Sequence, residues 1–162
     1  MGGSIELTEN QKTWNRLVTI MIIWERARNL ELARIGINMV QAEVLHCLKV
    51  SKEPMTPMKL ARMLHRQPHT VSALVHRMET QGLLATRRDM KRKNWVRVSL
   101  TKKGEAALRH WSTATVVPDA SSCLSKKETD ALNTITLKLH VRGLELLRKM
   151  QPDPYSEPLL LQ

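Results

Sequence analysis

The chain has 162 residues, 42% of them hydrophobic, enough for one folded domain with a sizeable core and too many for global disorder. Its formal net charge is +11, and the segment from Lys59 to Lys103 holds twelve Lys/Arg against two acids, Glu79 and Asp89. A charge needed only for solubility would be spread, so this focus points to a polyanion, with nucleic acid ahead of an anionic membrane.

From Thr8 to about Arg34 the spacing predicts one long helix, with Thr8 as cap and Trp14, Leu17, Met21 and Trp24 recurring at helical period. Val18, Ile20, Ile22 and Ile23 widen its apolar surface beyond what one face can bury in a small domain. A second helix from a partner chain is therefore expected; burial wholly within the chain is the alternative. "GIN" breaks this helix, and a second runs from Met39 to Val50 with Val40, Val44, Leu45 and Leu48 inward.

"SKEPMTP" reads as a loop. Thr56 before Pro57 then starts the short helix "PMKLARMLH": threonine caps, and proline suits the first helical position. Pro68 restarts the chain into a further helix, and two short helices so closely joined form a helix-turn-helix pattern. In the second of them Val71, Leu74, Val75 and Met78 make one apolar stripe, while His69, Thr70, Ser72, His76 and Arg77 fall on the other face. That outer face suits a major groove: short hydroxyls approach base edges or phosphates, and arginine contacts guanine with two hydrogen bonds. Solvated surface is the plainer alternative.

Gly82 ends this helix. "LLATRR" and "WVRVSL" read as two strands of a hairpin, the second alternating Trp95, Arg97 and Ser99 against Val96, Val98 and Leu100. The turn "DMKRKN" between them carries Lys91, Arg92 and Lys93. Thr101 caps the helix beginning "KKGEAALRHW", and the segment around Val117 and Pro118 is expected to break it. "SKKE", Ser125 to Glu128, is a capping box opening a last helix to about Met150, with Leu132, Ile135, Leu139 and Leu147 on one side. The tail "QPDPYSEPLLLQ" has three prolines and is expected to lack regular structure.

Two cysteines, Cys47 and Cys123, make no disulfide framework. Cys47 between Leu45 and Leu48 is expected to be a buried structural thiol, and Cys123 to sit exposed in a loop; nothing marks either as a low-pKa sensor. No metal is expected, because neighbours His46 and Cys47 point to different helix faces and no HExxH occurs. With no P-loop, dinucleotide turn or GxSxG, neither enzymatic activity nor a cofactor is expected. "MGGS" is no secretory leader, "VTIMII" is too short to span a bilayer, and a reducing cytoplasm is the expected compartment.

The order of helix, helix-turn-helix, cationic hairpin and further helices is that of a winged helix-turn-helix. The residues "LARMLHRQPHTVSALVHRMETQGLLATRRD…VRVSLTKKG" resemble the MarR family of bacterial and archaeal transcription regulators. The matching positions are Leu60 and Ala61; Thr70, Val71 and Ser72; Met78, Glu79, Gly82 and Leu83; Asp89; and Leu100, Thr101 and Gly104. Three features depart from the family pattern. His65 stands where many members have a turn glycine, Gln67 replaces the usual Ser/Asp cap, and Arg92, Lys93 and Asn94 replace the common Asp-Arg-Arg of the wing.

The resemblance implies a mainly α, winged helix-turn-helix homodimer. Residues 1–36 and 105–151 would form the dimerisation base, 37–104 the DNA-binding lobe and 152–162 a flexible tail. It implies a sequence-specific double-stranded DNA-binding regulator, a repressor on a pseudo-palindromic operator. The alternative is a non-sequence-specific nucleic-acid binder. The DNA-binding residues would be Arg66, Gln67, His69, Thr70, Ser72, His76, Arg77, Arg88, Lys91, Arg92, Lys93 and Asn94. Many such proteins take a small aromatic effector between base and lobe. Here that crevice could draw on Trp14, Trp24, Met39, His46 and Trp111, although most of these are expected to be core, as large side chains at helical spacing usually are.

Overall fold

In the computed structural model, which describes residues 7–88 and 96–150, the chain runs α1 (Glu9–Ala33), α2 (Met39–Val50), α3 (Pro57–Met63), α4 (Pro68–Thr80), β1 (Leu84–Arg88), β2 (Val96–Leu100), α5 (Lys102–Ser112), α6 (Val116–Ser121) and α7 (Lys126–Met150). Most helix starts are set by a side chain that replaces the missing backbone acceptor. Thr8 and Gln11 form a reciprocal capping box on α1, and Asn38 and Gln41 form another on α2. Thr56 accepts from the Lys59 N–H ahead of Pro57, Thr101 from the Gly104 N–H, and Ser125 exchanges hydrogen bonds with Glu128 at the start of α7. Helix α4 differs: Gln67 supplies no side-chain cap, and only Pro68 prepares its first turn.

One core closes the lobe. Val71, Leu74, Val75 and Met78 of α4 are buried against a cluster that includes Leu32, Ile37, Val44, Leu45, Leu60, Leu84 and Val98. Each such side chain contributes about 1.5–3 kcal/mol on burial, so the stripe alone seats the helix firmly. The strands pair antiparallel from Leu84↔Leu100 to Arg88↔Val96, and the inward Val98 alternates with exposed Arg97 and Ser99.

Two turns fix how α4 sits. Helix α3 ends with His65 in the left-handed region (φ 49°), and the Arg66 N–H closes back on the Ala61 carbonyl at 2.9 Å. Glycine would adopt that conformation freely, whereas histidine holds it at a cost. At the other end Gly82 (φ 73°) turns the chain from α4 into β1. Thr101 then donates to the Gly82 and Leu83 carbonyls, at 2.6 and 3.1 Å. Gly104 lies so close that a Cβ there would run into the Leu83 carbonyl oxygen.

Four expectations need correction. Val117 and Pro118 do not break a helix; they lie inside α6, and the break falls at residues 113–115. Pro118 is tolerated because it sits in the first turn, where its missing N–H has no partner to lose. Helix α3 stops at Met63, two residues early, because the left-handed His65 cannot continue it. The loop before Thr56 is not wholly irregular, since Met55 makes a β-bridge to Val98, whose N–H donates to the Met55 carbonyl at 2.9 Å. The aromatic side chains expected as core are mostly outside it: Trp14 is 66% exposed and Trp24 37%.

The long end helices carry the apolar surplus expected of α1. Met21, Ile22, Ile23 and Leu30 are exposed on α1, as are Leu132, Ile135, Leu139 and Leu147 on α7, which buries no residue at all within the chain. The tail after Met150 and the hairpin turn lie outside the described residues.

Candidate nucleic-acid interface

The predicted reading face is present as an exposed surface. His69, Thr70, Ser72, His76 and Arg77 are all exposed along α4, and Arg66 and Gln67 are exposed just ahead of it. Arg88 is exposed at the end of β1, beside exposed Arg87. Ser72 also lines a groove with Thr56, Pro57, Met58, Lys59, Arg62, Pro68 and Val96, between the start of α3, the start of α4 and the wing strand. Lys91, Arg92, Lys93 and Asn94 lie outside the described residues.

Hydrogen bonds that sequence reasoning missed hold this face in place. The Thr86 N–H and hydroxyl both donate to the Glu79 carboxylate, at 2.8 and 2.6 Å, tying α4 to β1. Those two bonds favour the ionised form and hold Glu79 below the ordinary value. The Lys103 ammonium donates to the Gln81 carbonyl at 2.8 Å, at the negative end of the α4 dipole. Gln41, 4% exposed, donates from its Nε2 to the Gln81 side chain at 2.6 Å. The box that positions Gln41 was readable in "NMVQ", an Asn followed three residues later by Gln; its tertiary partner was not. Lys59 is paired with Glu53 at 2.5 Å, so one cation of the basic segment is already partly neutralised.

The second predicted cluster is only partly assembled. His46 and Trp111 meet with ring centroids 4.9 Å apart, and the Arg28 guanidinium lies 5.6 Å from the Trp111 centroid. Arg28 is 6% exposed and donates to Glu31 at 3.1 Å, while the other Glu31 oxygen accepts the Thr115 N–H at 2.7 Å. The Arg28 Nε and Trp111 Nε1 are buried with no hydrogen-bond partner. Met39 is half-buried and packed against the core; Trp14 and Trp24 stand exposed on α1 and join no ring contact among the described residues. Arg28 gave no sequence signal, because a lone arginine on a helix ordinarily reads as surface.

Cys47 is half-buried, with its thiol pKa raised by burial and by the nearby Glu43 carboxylate, which disfavours the reactive thiolate. Cys123 is exposed. Among the described residues no cluster of three or more His, Cys, Asp or Glu could hold a metal ion, and no helix is long and apolar enough to cross a membrane.

The profile of the MarR family matches residues 35–98, which run from the end of α1 to the middle of β2. The fold of the whole chain agrees with it: the organohalide-sensing RdhR transcriptional regulator, solved with 2,4-dichlorophenol bound, superposes with a TM-score of 0.86 at 25% identity over 100% of this chain and 94% of that one. The segment from residue 35 to residue 98 is thus similar to the MarR family. Among curated relatives, an uncharacterized HTH-type transcriptional regulator of Bacillus anthracis is 27% identical over 130 residues, 78% of this chain and 86% of its own. A mutant MarR from E. coli, solved with operator DNA, shares the winged-helix fold at a TM-score of 0.72 and 20% identity, covering 83% of this chain and 98% of that one.

Proposed function

We propose that the protein is a sequence-specific double-stranded DNA-binding transcription regulator, a repressor that binds a pseudo-palindromic operator as a homodimer. The observation that carries this reading is the division of α4: four apolar side chains buried on the lobe, and two hydroxyls, two histidines and an arginine left exposed on the opposite face. A helix seated in this way presents its polar face to a major groove, and the basic segment around it supplies phosphate contacts. The exposed apolar faces of α1 and α7 support a base built by residues 1–36 and 105–151, with residues 37–104 as the lobe below. Such a regulator works on cytoplasmic DNA.

The test is selection of bound sequences from random duplex DNA. The expected result is a palindrome whose half-sites lie about one helical turn, or 10–10.5 base pairs, apart. Affinity should fall with salt at a log–log slope of roughly −5 or steeper, since several phosphates per lobe are neutralised. Replacing Lys91, Arg92 and Lys93 together by Ala should weaken binding to all sequences and make that slope shallower. A bound pool with no motif, or a flat salt response, would refute the reading.

The effector reading rests on the cluster of Arg28, His46 and Trp111. Its two tilted rings and two unpartnered donors suit a small aromatic molecule carrying an acceptor oxygen. Titration with chlorinated phenols, followed by tryptophan fluorescence and by release from DNA, checks this. No saturable change at Trp111 would remove the cluster from consideration.

A further inference from the structure

The recognition helix α4 is held very differently at its two ends. At the start, Gln67 makes no side-chain cap. At the finish, Gln81 is held twice: its carbonyl by the Lys103 ammonium at 2.8 Å, and its side-chain oxygen by the Gln41 amide at 2.6 Å. Gln41 is one of two buried polar residues among those described, and its 4% exposure leaves it no water to fall back on. An apolar residue at that place would pack without any directional demand. The amide demands one: its nitrogen must meet the Gln81 oxygen or lose a buried hydrogen bond.

The same amide is anchored on its other side. Its oxygen accepts the Asn38 N–H at 3.0 Å, closing the cap of α2, and the neighbouring Met39 N–H donates to the Asn29 side chain on α1 at 2.8 Å. A continuous line of hydrogen-bonded groups and short backbone steps therefore runs from α1 through the first turn of α2 to the end of α4. Its terminal link, Gln41 to Gln81, joins residues forty positions apart in sequence.

We propose that Gln41 and Gln81 are positioning residues: their hydrogen bond fixes the angle of the recognition helix relative to α1, and so sets the half-site spacing that the dimer accepts. This rests on the regulator reading above and adds the residues through which a shift of α1 would reach the reading head. A two-state element that both sites bias is what such coupling needs, and a single part-buried amide pair that is made or broken is the simplest form of one.

The experiment measures affinity for the selected operator and for versions with its half-sites one base pair closer or further apart. The readout is the ratio between spacings, so a change in overall charge cancels. The unaltered protein should favour one spacing. Gln41→Leu and Gln81→Leu should each flatten that preference by roughly 3- to 10-fold, the equilibrium equivalent of one hydrogen bond. Gln81→Glu keeps an acceptor oxygen in place and should retain the preference. Gln81 is exposed, so its variants test the idea even if Gln41→Leu folds poorly. Unchanged ratios in both leucine variants, or equal losses in Gln81→Leu and Gln81→Glu, overturn the positioning role and leave the regulator reading standing. No spacing preference in the unaltered protein overturns the homodimeric regulator reading and the inference with it.

Discussion

The lobe and the two long end helices satisfy their apolar surface in opposite ways. Around α4 the stripe Val71, Leu74, Val75 and Met78 is covered by the chain's own α2, α3 and hairpin. On α7 Leu132, Ile135, Leu139 and Leu147 are between 39% and 54% exposed, and α1 leaves Met21 70% exposed. Scattered exposed apolar residues are ordinary, but two helices of 25 residues with apolar rows open to solvent are not. One region is finished by a single chain. The other is left open by the chain itself, and it is the surface the proposed homodimer would cover.

That contrast can be broken most sharply at the base. Met21→Glu combined with Leu139→Glu should leave the lobe folded, turn a sedimenting dimer into a monomer, and lower operator affinity by about 10²–10⁴-fold as the second half-site is lost. A double variant that still sediments as a dimer would mean that these faces are not the interface. The complementary change is inside the lobe. Leu74→Ala should cost about 2–5 kcal/mol of stability through the cavity it leaves, read as a lower melting temperature or denaturation midpoint. Dimerisation should survive it better than DNA binding does.

Smaller effects sharpen the division within α4. Arg77→Ala should barely move the melting temperature. If it reads a base, it should weaken operator binding by about 1–3 kcal/mol and relax preference at one position per half-site. An equal loss on scrambled DNA would assign Arg77 to phosphate instead. The smallest effect concerns acid. Glu79 is held below its ordinary value of 4.5 by the two Thr86 hydrogen bonds. The stability this adds is present above the unfolded-state value and disappears as pH falls through the lower folded-state value. Melting temperatures of the unaltered protein and of Glu79→Gln should therefore differ near neutral pH and converge as pH falls below the lowered folded-state value. A gap that persists at low pH would mean that shape, and not charge, ties α4 to the wing.

The sequence was most legible where local rules act alone. Thr8, Thr56, Thr101 and the Ser125–Glu128 box each announced a helix start, and the stripe on α4 announced its buried face, because caps and periodicity depend on residues within a turn or two. Pro118 misled, since proline both ends helices and begins them, and only the chain around it decides which. The exposed polar face of α4 was also legible, as the complement of a clear stripe. What fastens it was not. The bonds from Gln41 to Gln81 and from Lys103 to the Gln81 carbonyl span forty and twenty-two positions, and neither leaves any periodic trace. Arg28 was hidden for the same reason: its burial under Trp111 depends on α5 folding back over α1.

The short bridge at Met55 bears on how copies of this chain fail to aggregate. A two-stranded hairpin has two open edges, and each is a template on which a stranger's strand can pair. Here the middle of the outer edge of β2 is already occupied, because the Val98 N–H is spent on the Met55 carbonyl. The strand β1 ends in Arg87 and Arg88, whose charges repel an identical strand. The hairpin is thus a poor seed for sheet growth.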